Sequence, residues 1–282
     1  MFRPQLAILL FTMLVFACQP QKNEDTEVVE EETVEEAASN EAVPLLEVNL
    51  VHAKEEGALA ATEVVIASFD PVFKRVKKYE AIPLKPYLEK LIITSNLDTA
   101  NTEIIFLCKD GYNPSMALSK VLQNEPYLAI RDLEALADKN WMDTLQGKWN
   151  PFYLIWTNYS QGDKGYTWPY GLKYLQFKTS EAAYKAAFPL DEQKVAGFEL
   201  YKEKCMKCHA MNMVGGVMGP EMNVPKNITE YWQIADIKAF VKNPYGYRYN
   251  SKMSPVVDLK ETDLDKIMDY IIYMKGQKIE ME

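Results

Sequence analysis

Histidine and cysteine are scarce in this chain, with two histidines and four cysteines in 282 residues. That scarcity excludes most sites built from side-chain metal ligands. A structural zinc site needs four Cys or His ligands, whereas Cys18, Cys108 and His52 are scattered with no second ligand pair beside them. No internal repeat is visible, and no apolar run approaches the roughly 20 residues that span a bilayer. Basic charge is also in short supply. The formal net charge is −9, and residues 19–42 alone hold nine acids (Glu24, Asp25, Glu27, Glu30, Glu31, Glu32, Glu35, Glu36 and Glu41) against one lysine. With Arg3 counted in the leader, the residues after 42 carry only −2 of that total. A near-neutral body gives no electrostatic footprint for nucleic acid.

Against that background one run of five residues stands out: Cys205-Met206-Lys207-Cys208-His209. C-x-x-C-H is the attachment pattern of a c-type haem, in which two thiols bond to the vinyl groups and the adjacent imidazole ligates iron. Two intervening residues let both sulfurs reach one edge of the porphyrin. A thioredoxin-like pair would need a strand–turn–helix context, and the residues before Cys205 read as helix. The run therefore predicts one haem c, with Cys205 and Cys208 as thioethers and His209 as the proximal ligand.

The N-terminus carries Arg3, an apolar stretch from Leu6 to Phe16, and then Ala17-Cys18. The stretch suits a secretory signal. Val15-Phe16-Ala17-Cys18 resembles a bacterial lipobox, which implies acylation of Cys18 and a stable membrane anchor; an ordinary signal peptide with an incidental cysteine is the alternative. Export, to the periplasm or the cell surface, suits covalent haem attachment. Residues 19–42 are too polar to repay the entropy of ordering and read as a tether. Cys108 is left over, a small apolar residue for a core.

The expected organisation is two domains: an α+β, β-rich domain over residues 43–188, followed by an all-α domain over 189–282. Leu45–Ala53, Thr62–Phe69, Thr102–Cys108, Tyr127–Ile130, Phe152–Thr157 and Tyr174–Phe177 read as strands, short apolar or β-branched runs bounded by turn residues. Leu84–Leu91 and Ser115–Leu122 read as helices. In the last third, Asp191 caps a helix running into Cys205, and Thr229 caps a second that stops at Asn243-Pro244. A third starts at Thr262, its Leu264, Ile267, Met268 and Ile271 forming one apolar stripe.

Residues 190–278 resemble class I cytochromes c. Gly197 and Tyr201 lie eight and four residues before Cys205, where that family packs its first helix closely on its last, and Ile267, Tyr270 and Ile271 match the last helix's face. Gly219-Pro220 matches the loop whose proline carbonyl, in the family, accepts from the ligand histidine; Met222 stands where the family usually has leucine. A thioether suits the sixth position of an electron-transfer haem. Met253, in Lys252-Met253-Ser254-Pro255, resembles the family's ligand loop. Met222 or an open site are the alternatives. Lys202, Lys204, Lys207, Lys242, Arg248 and Lys252 border the expected haem edge and could steer an acidic redox partner.

Tyr79, Ile82-Pro83-Leu84, Leu88, Asp110-Gly111-Tyr112, Tyr127-Leu128-Ala129, Trp149-Asn150-Pro151-Phe152-Tyr153-Leu154 and Trp168-Pro169-Tyr170 resemble pieces of the sulfite-oxidase-type molybdopterin-binding fold. That family needs a cysteine ligand with surrounding Arg and His; only Arg75, Arg131, His52 and Cys108 are present, which implies the fold without its cofactor. The aromatics of 141–177, among them Trp141, Trp149, Trp156 and Trp168, read either as a core and interface or as a sugar- or quinone-binding face. Three function classes follow: a lipid-anchored electron carrier serving protein redox partners, an oxidoreductase passing electrons from an N-terminal molybdenum site to its own haem, and a docking module of a larger redox complex.

Overall fold

The computed structural model describes residues 44–135, 149–163 and 165–281. The leader with Cys18, the acidic segment 19–42 and Trp141 lie outside the described residues. No described helix is long and apolar enough to cross a membrane.

Among the described residues, eight strands form one antiparallel sheet: β1 (Leu46–Asn49), β2 (Glu63–Asp70), β3 (Arg75–Pro83), β4 (Thr102–Cys108), β5 (Ser115–Ala117), β6 (Pro126–Asp132), β7 (Phe152–Trp156) and β8 (Tyr170–Thr179). The order is β2-β3-β6-β7-β8-β4-β5, with β1 also paired to β8. β8 lies along β4 on one edge and shares its other edge between β7 and β1. All five residues of β7 are buried, as expected of a central strand covered on both faces. The tryptophans Trp149, Trp156 and Trp168 are buried in the sheet core.

Two elements differ from the sequence expectation. The expected strand Leu45–Ala53 ends at Asn49, whose side-chain oxygen accepts from the amides of Val51 and His52 and caps helix α1 (Leu50–Glu55). The expected helix Ser115–Leu122 begins as β5, paired with β4, and turns helical only in α3 (Leu118–Leu122), after α2 (Lys85–Thr94) has occupied the other expected helix. β3 was not expected at all. Arg75, Lys77 and Lys78 hide its alternation, yet Lys77 points inward and is buried. Its ammonium sits 2.5 Å from Asp132 and over the Phe73 and Tyr79 rings. A charge that deep persists only when paired.

The helical region runs from Glu192 to Met274. After α4 (Ser180–Tyr184), Asp191 caps a 3-10 turn that leads into α5 (Val195–Lys204). Asn227, rather than Thr229, caps the next turn: the Thr229 amide and hydroxyl both donate to Asn227 Oδ1. α6 (Ile234–Lys242), α7 (Pro244–Tyr247) and α8 (Glu261–Met274) follow. α5 crosses α8 at Gly197, where a Cβ would lie 2.3 Å from the Lys266 carbonyl oxygen. Phe198, Tyr201, Leu264, Ile267, Met268, Tyr270, Ile271 and Met274 fill the core around that crossing.

The expectation of an α+β domain followed by a separate all-α domain is corrected. The described residues fall within one compact unit, in which a β-rich region and a helical region are joined directly. Glu103 of β4, buried, accepts from the Tyr184 hydroxyl at 2.8 Å, and Ser115 Oγ lies 2.7 Å from the same hydroxyl. Lys202 of α5 lies over the Tyr184 ring, 3.9 Å from its centroid, and 3.9 Å from Glu103. The β4–β5 connection also bonds to backbone on both sides of the site described below. Each region has its own apolar core, but polar groups weld them, and apolar periodicity does not report such a seam.

Gly197→Ala should destabilise the protein by about 1–3 kcal/mol through overpacking, read as a lower denaturation midpoint. An unchanged midpoint would show that α5 and α8 can separate without cost.

Candidate functional site

The five residues from Cys205 to His209 form a tight turn at the end of α5. The Cys205 amide donates to the Tyr201 carbonyl at 2.8 Å, and the amides of Cys208 and His209 both donate to the Cys205 carbonyl, at 3.0 and 2.9 Å. Tyr201, fully buried, sends its hydroxyl to the carbonyls of His209 (3.0 Å) and Ala210 (3.2 Å). The aromatic four residues before the first cysteine therefore packs the helix crossing and also pins the backbone of the histidine.

His209 Nδ1 lies 2.9 Å from the Pro220 carbonyl oxygen. A carbonyl only accepts, so Nδ1 carries the proton and Nε2 presents its lone pair. Burial holds the imidazole below its usual pKa, an effect the Pro220 contact only partly offsets. Both effects together favour the neutral ring, the form in which imidazole binds a metal. The Gly219 amide donates to the Cys208 carbonyl at 2.7 Å, and a Cβ on Gly219 would fall 2.3–2.7 Å from three atoms of the His209 ring. Only glycine lets the loop pass so close. Burial pushes the Cys205 thiol up to about 12 and moves Cys208 the same way. Both are free thiols, not a disulfide. Two thiols on one turn, an oriented neutral imidazole and a proline carbonyl behind it are a donor set that fits covalent haem c.

The loop that presents Pro220 is held by residues that motif reading passed over. Glu221 accepts from four backbone amides: Asn212 (2.9 Å), Met213 (3.0 Å), Asn223 (2.8 Å) and Val224 (3.3 Å). Behind it runs a buried ladder of asparagines. Asn223 donates to Asn212 Oδ1 and the Met274 carbonyl, and Asn227 donates to Asn223 Oδ1 and the Ile271 carbonyl. Asn212 closes the ladder on the carbonyls of Ala186 and Gln277. The ladder thus satisfies carbonyls at the end of α8 that the helix itself leaves open. Loop asparagines ordinarily signal turns; the only hint was three of them within sixteen residues around Gly219-Pro220.

The remaining expected residues are distributed as follows. Met253 is half-buried on the loop before α8, its amide donating to Ser251 Oγ. That loop is tied to α6 by the Val256 amide on the Val241 carbonyl and to α5 by Lys204 on Asp258. Met211, Met268 and Met274 are core residues, and Met222 packs against the same core. In the expected basic rim, Lys202 faces Glu103, Lys204 faces Glu203 and Asp258, and Lys242 pairs with Glu261. Cys108 is buried on β4, while His52 pairs with Glu56 and Arg131 with Glu80, so the set named for a molybdenum site is not drawn together. Among the described residues no three His, Cys, Asp or Glu side chains group as metal ligands. Cys18 lies outside the described residues.

Asn223→Ala would strip partners from Asn212 Oδ1, Asn227 Nδ2 and the Met274 carbonyl. Asn227 Nδ2 keeps the Ile271 carbonyl and the Met274 carbonyl keeps the Gln277 amide, so Asn212 Oδ1 is the group left unpaired, and a stability loss of roughly 1–3 kcal/mol is expected in denaturant titration. A loss below about 1 kcal/mol would remove the ladder from the account of how the loop is held.

Residues 192–271 match a protein-family model described as cytochrome C oxidase, cbb3-type, subunit III. No curated protein and no solved structure matches the chain. The matched segment contains the whole turn, the Pro220 loop and most of α8. It is a c-type cytochrome domain, which implies covalently bound haem c and electron transfer through it.

Proposed function

We propose that this chain is an electron carrier with a single haem c, bonded through Cys205 and Cys208 and ligated by His209 and Met253, in an exported protein anchored to a bacterial membrane through Cys18. When bound, the haem supplies a one-electron change at its iron. The observation that carries the reading is the His209–Pro220 contact of 2.9 Å on the turn bearing both thiols, inside the segment that matches the cytochrome family model. Cys205–His209 is the one C-x-x-C-H run in the sequence, which supports a count of one.

The chain's own groups divide the work. Tyr201 and the Cys205 carbonyl hold the turn so that the thiols and imidazole keep one geometry. Pro220 fixes the tautomer and raises the basicity of the ring, as partners behind a metal-binding histidine do. Met253 is the thioether on a loop tied to both α5 and α6, and it belongs to neither apolar core. Its soft sulfur would favour the reduced state. Donor and acceptor are proteins that reach the exposed rim, where Arg248 and Lys252 add positive charge for an acidic surface. The address rests on the leader and on Val15-Phe16-Ala17-Cys18, which the acidic residues 19–42 follow in the sequence.

Met253→Ala should keep the covalent haem but abolish the weak long-wavelength absorption of ferric iron bound to thioether, while Met222→Ala leaves it intact. Persistence of that band in Met253→Ala would reassign the sixth ligand. For the address, Cys18→Ser should shift the protein from the membrane fraction to the soluble fraction with its haem content preserved. Mature wild-type protein without a lipid on its N-terminal residue would exclude the anchor.

A further inference from the structure

Among the described residues the sheet reaches the site through the six residues between β4 and β5 (109–114). This segment is braced from within. The Gly111 amide donates to the Cys108 carbonyl, the Tyr112 amide to Asp110 Oδ1, and Asn113 Oδ1 accepts from the Cys108 amide. It is also clamped from outside at the two residues flanking Tyr112. The Gly111 carbonyl accepts from the amides of Val217 (2.8 Å) and Met218 (3.2 Å), and the Asn113 amide donates to the carbonyl of Lys207 (2.9 Å). Lys207 lies between the two cysteines, and Met218 immediately precedes Gly219-Pro220. Tyr112 is therefore suspended between the turn that carries the thiols and the loop that orients His209. Its ring packs against the sheet core. Burial raises its hydroxyl pKa.

We propose that the β4–β5 connection is a fixed cover over the Cys208 side of the haem site, and that Tyr112 is the positioning residue through which the sheet sets the reduction potential. The proposal rests on the haem reading of Cys205–His209 and assigns the β-rich region a role in it. Ferric haem carries one more positive charge than ferrous haem, so excluding water destabilises the ferric form more and raises the potential. The three backbone hydrogen bonds flanking Tyr112 hold its ring in one place, so that the bulk of the ring can exclude water without a loop having to move.

The test uses the full-length holo-protein in the series Tyr112→Phe, Tyr112→Leu and Tyr112→Ala, with covalent haem quantified as the pyridine haemochrome and midpoint potentials measured by optical spectroelectrochemistry. The Phe variant keeps the cover and should match wild type; the potential should then fall through Leu to Ala as water gains access. If the Ala variant does not accumulate, Phe against Leu still decides the order. A flat series overturns the proposal, and so does a Phe variant shifted as far as Leu or Ala, since the hydroxyl and not the cover would then be responsible. Wild-type protein without covalent haem would overturn the haem reading itself, an outcome seen before any potential is measured.

Discussion

The hydrogen bond from His209 Nδ1 to the Pro220 carbonyl is the contact toward which the helical region converges. It can hold the imidazole still only if the carbonyl is itself still, and a loop proline has no amide with which to anchor itself. The anchoring is done one residue further on. Glu221 gathers four amides of its own loop, and the asparagine ladder behind it fastens that loop to carbonyls at the end of α8. α8 is placed in turn by its crossing with α5 at Gly197, and α5 ends in Cys205. The constraint closes on itself: the helix that delivers the thiols packs on the helix that steadies the carbonyl opposite the histidine.

Burial gives this arrangement its chemical character. The same desolvation that lowers the His209 pKa raises those of both cysteines, so it favours a neutral imidazole and neutral thiols together. Exposed, that imidazole would share its lone pair with solvent protons near neutral pH. Half-buried with Nδ1 engaged, it is committed to one tautomer. The lysines around the site are a weaker influence than their number suggests, because several already face carboxylates and exposed pairs add little.

The β-rich region is a second source of rigidity. Glu103, Ser115 and Lys202 converge on Tyr184, and the Gly111 and Asn113 backbone reaches the loops beside the cysteines. Both sets of contacts depend on β4 and β5, neighbours at one end of the sheet. A sheet pinned at this end and buried through β7 makes a firm platform, because little can slip without breaking its ladder.

The sequence by itself determined the parts whose signal is local. The C-x-x-C-H run, the apolar stripe of α8, the glycine and tyrosine ahead of Cys205, and the short apolar runs of β2 and β4 each rest on a pattern within a few residues, and such a pattern survives in a linear reading. Tertiary structure alone decided the rest. Nothing in Asn212, Asn223 and Asn227 distinguishes a buried ladder from ordinary turn residues until α8 places its open carbonyls above them. Lys77 reads as solvent-facing until Asp132 arrives from β6. The fusion of the two regions was equally hidden, because it is made of backbone amides, one tyrosine hydroxyl and a buried carboxylate. Hydrophobic pattern records what leaves water, whereas a polar group's partner is set by where the folded chain returns.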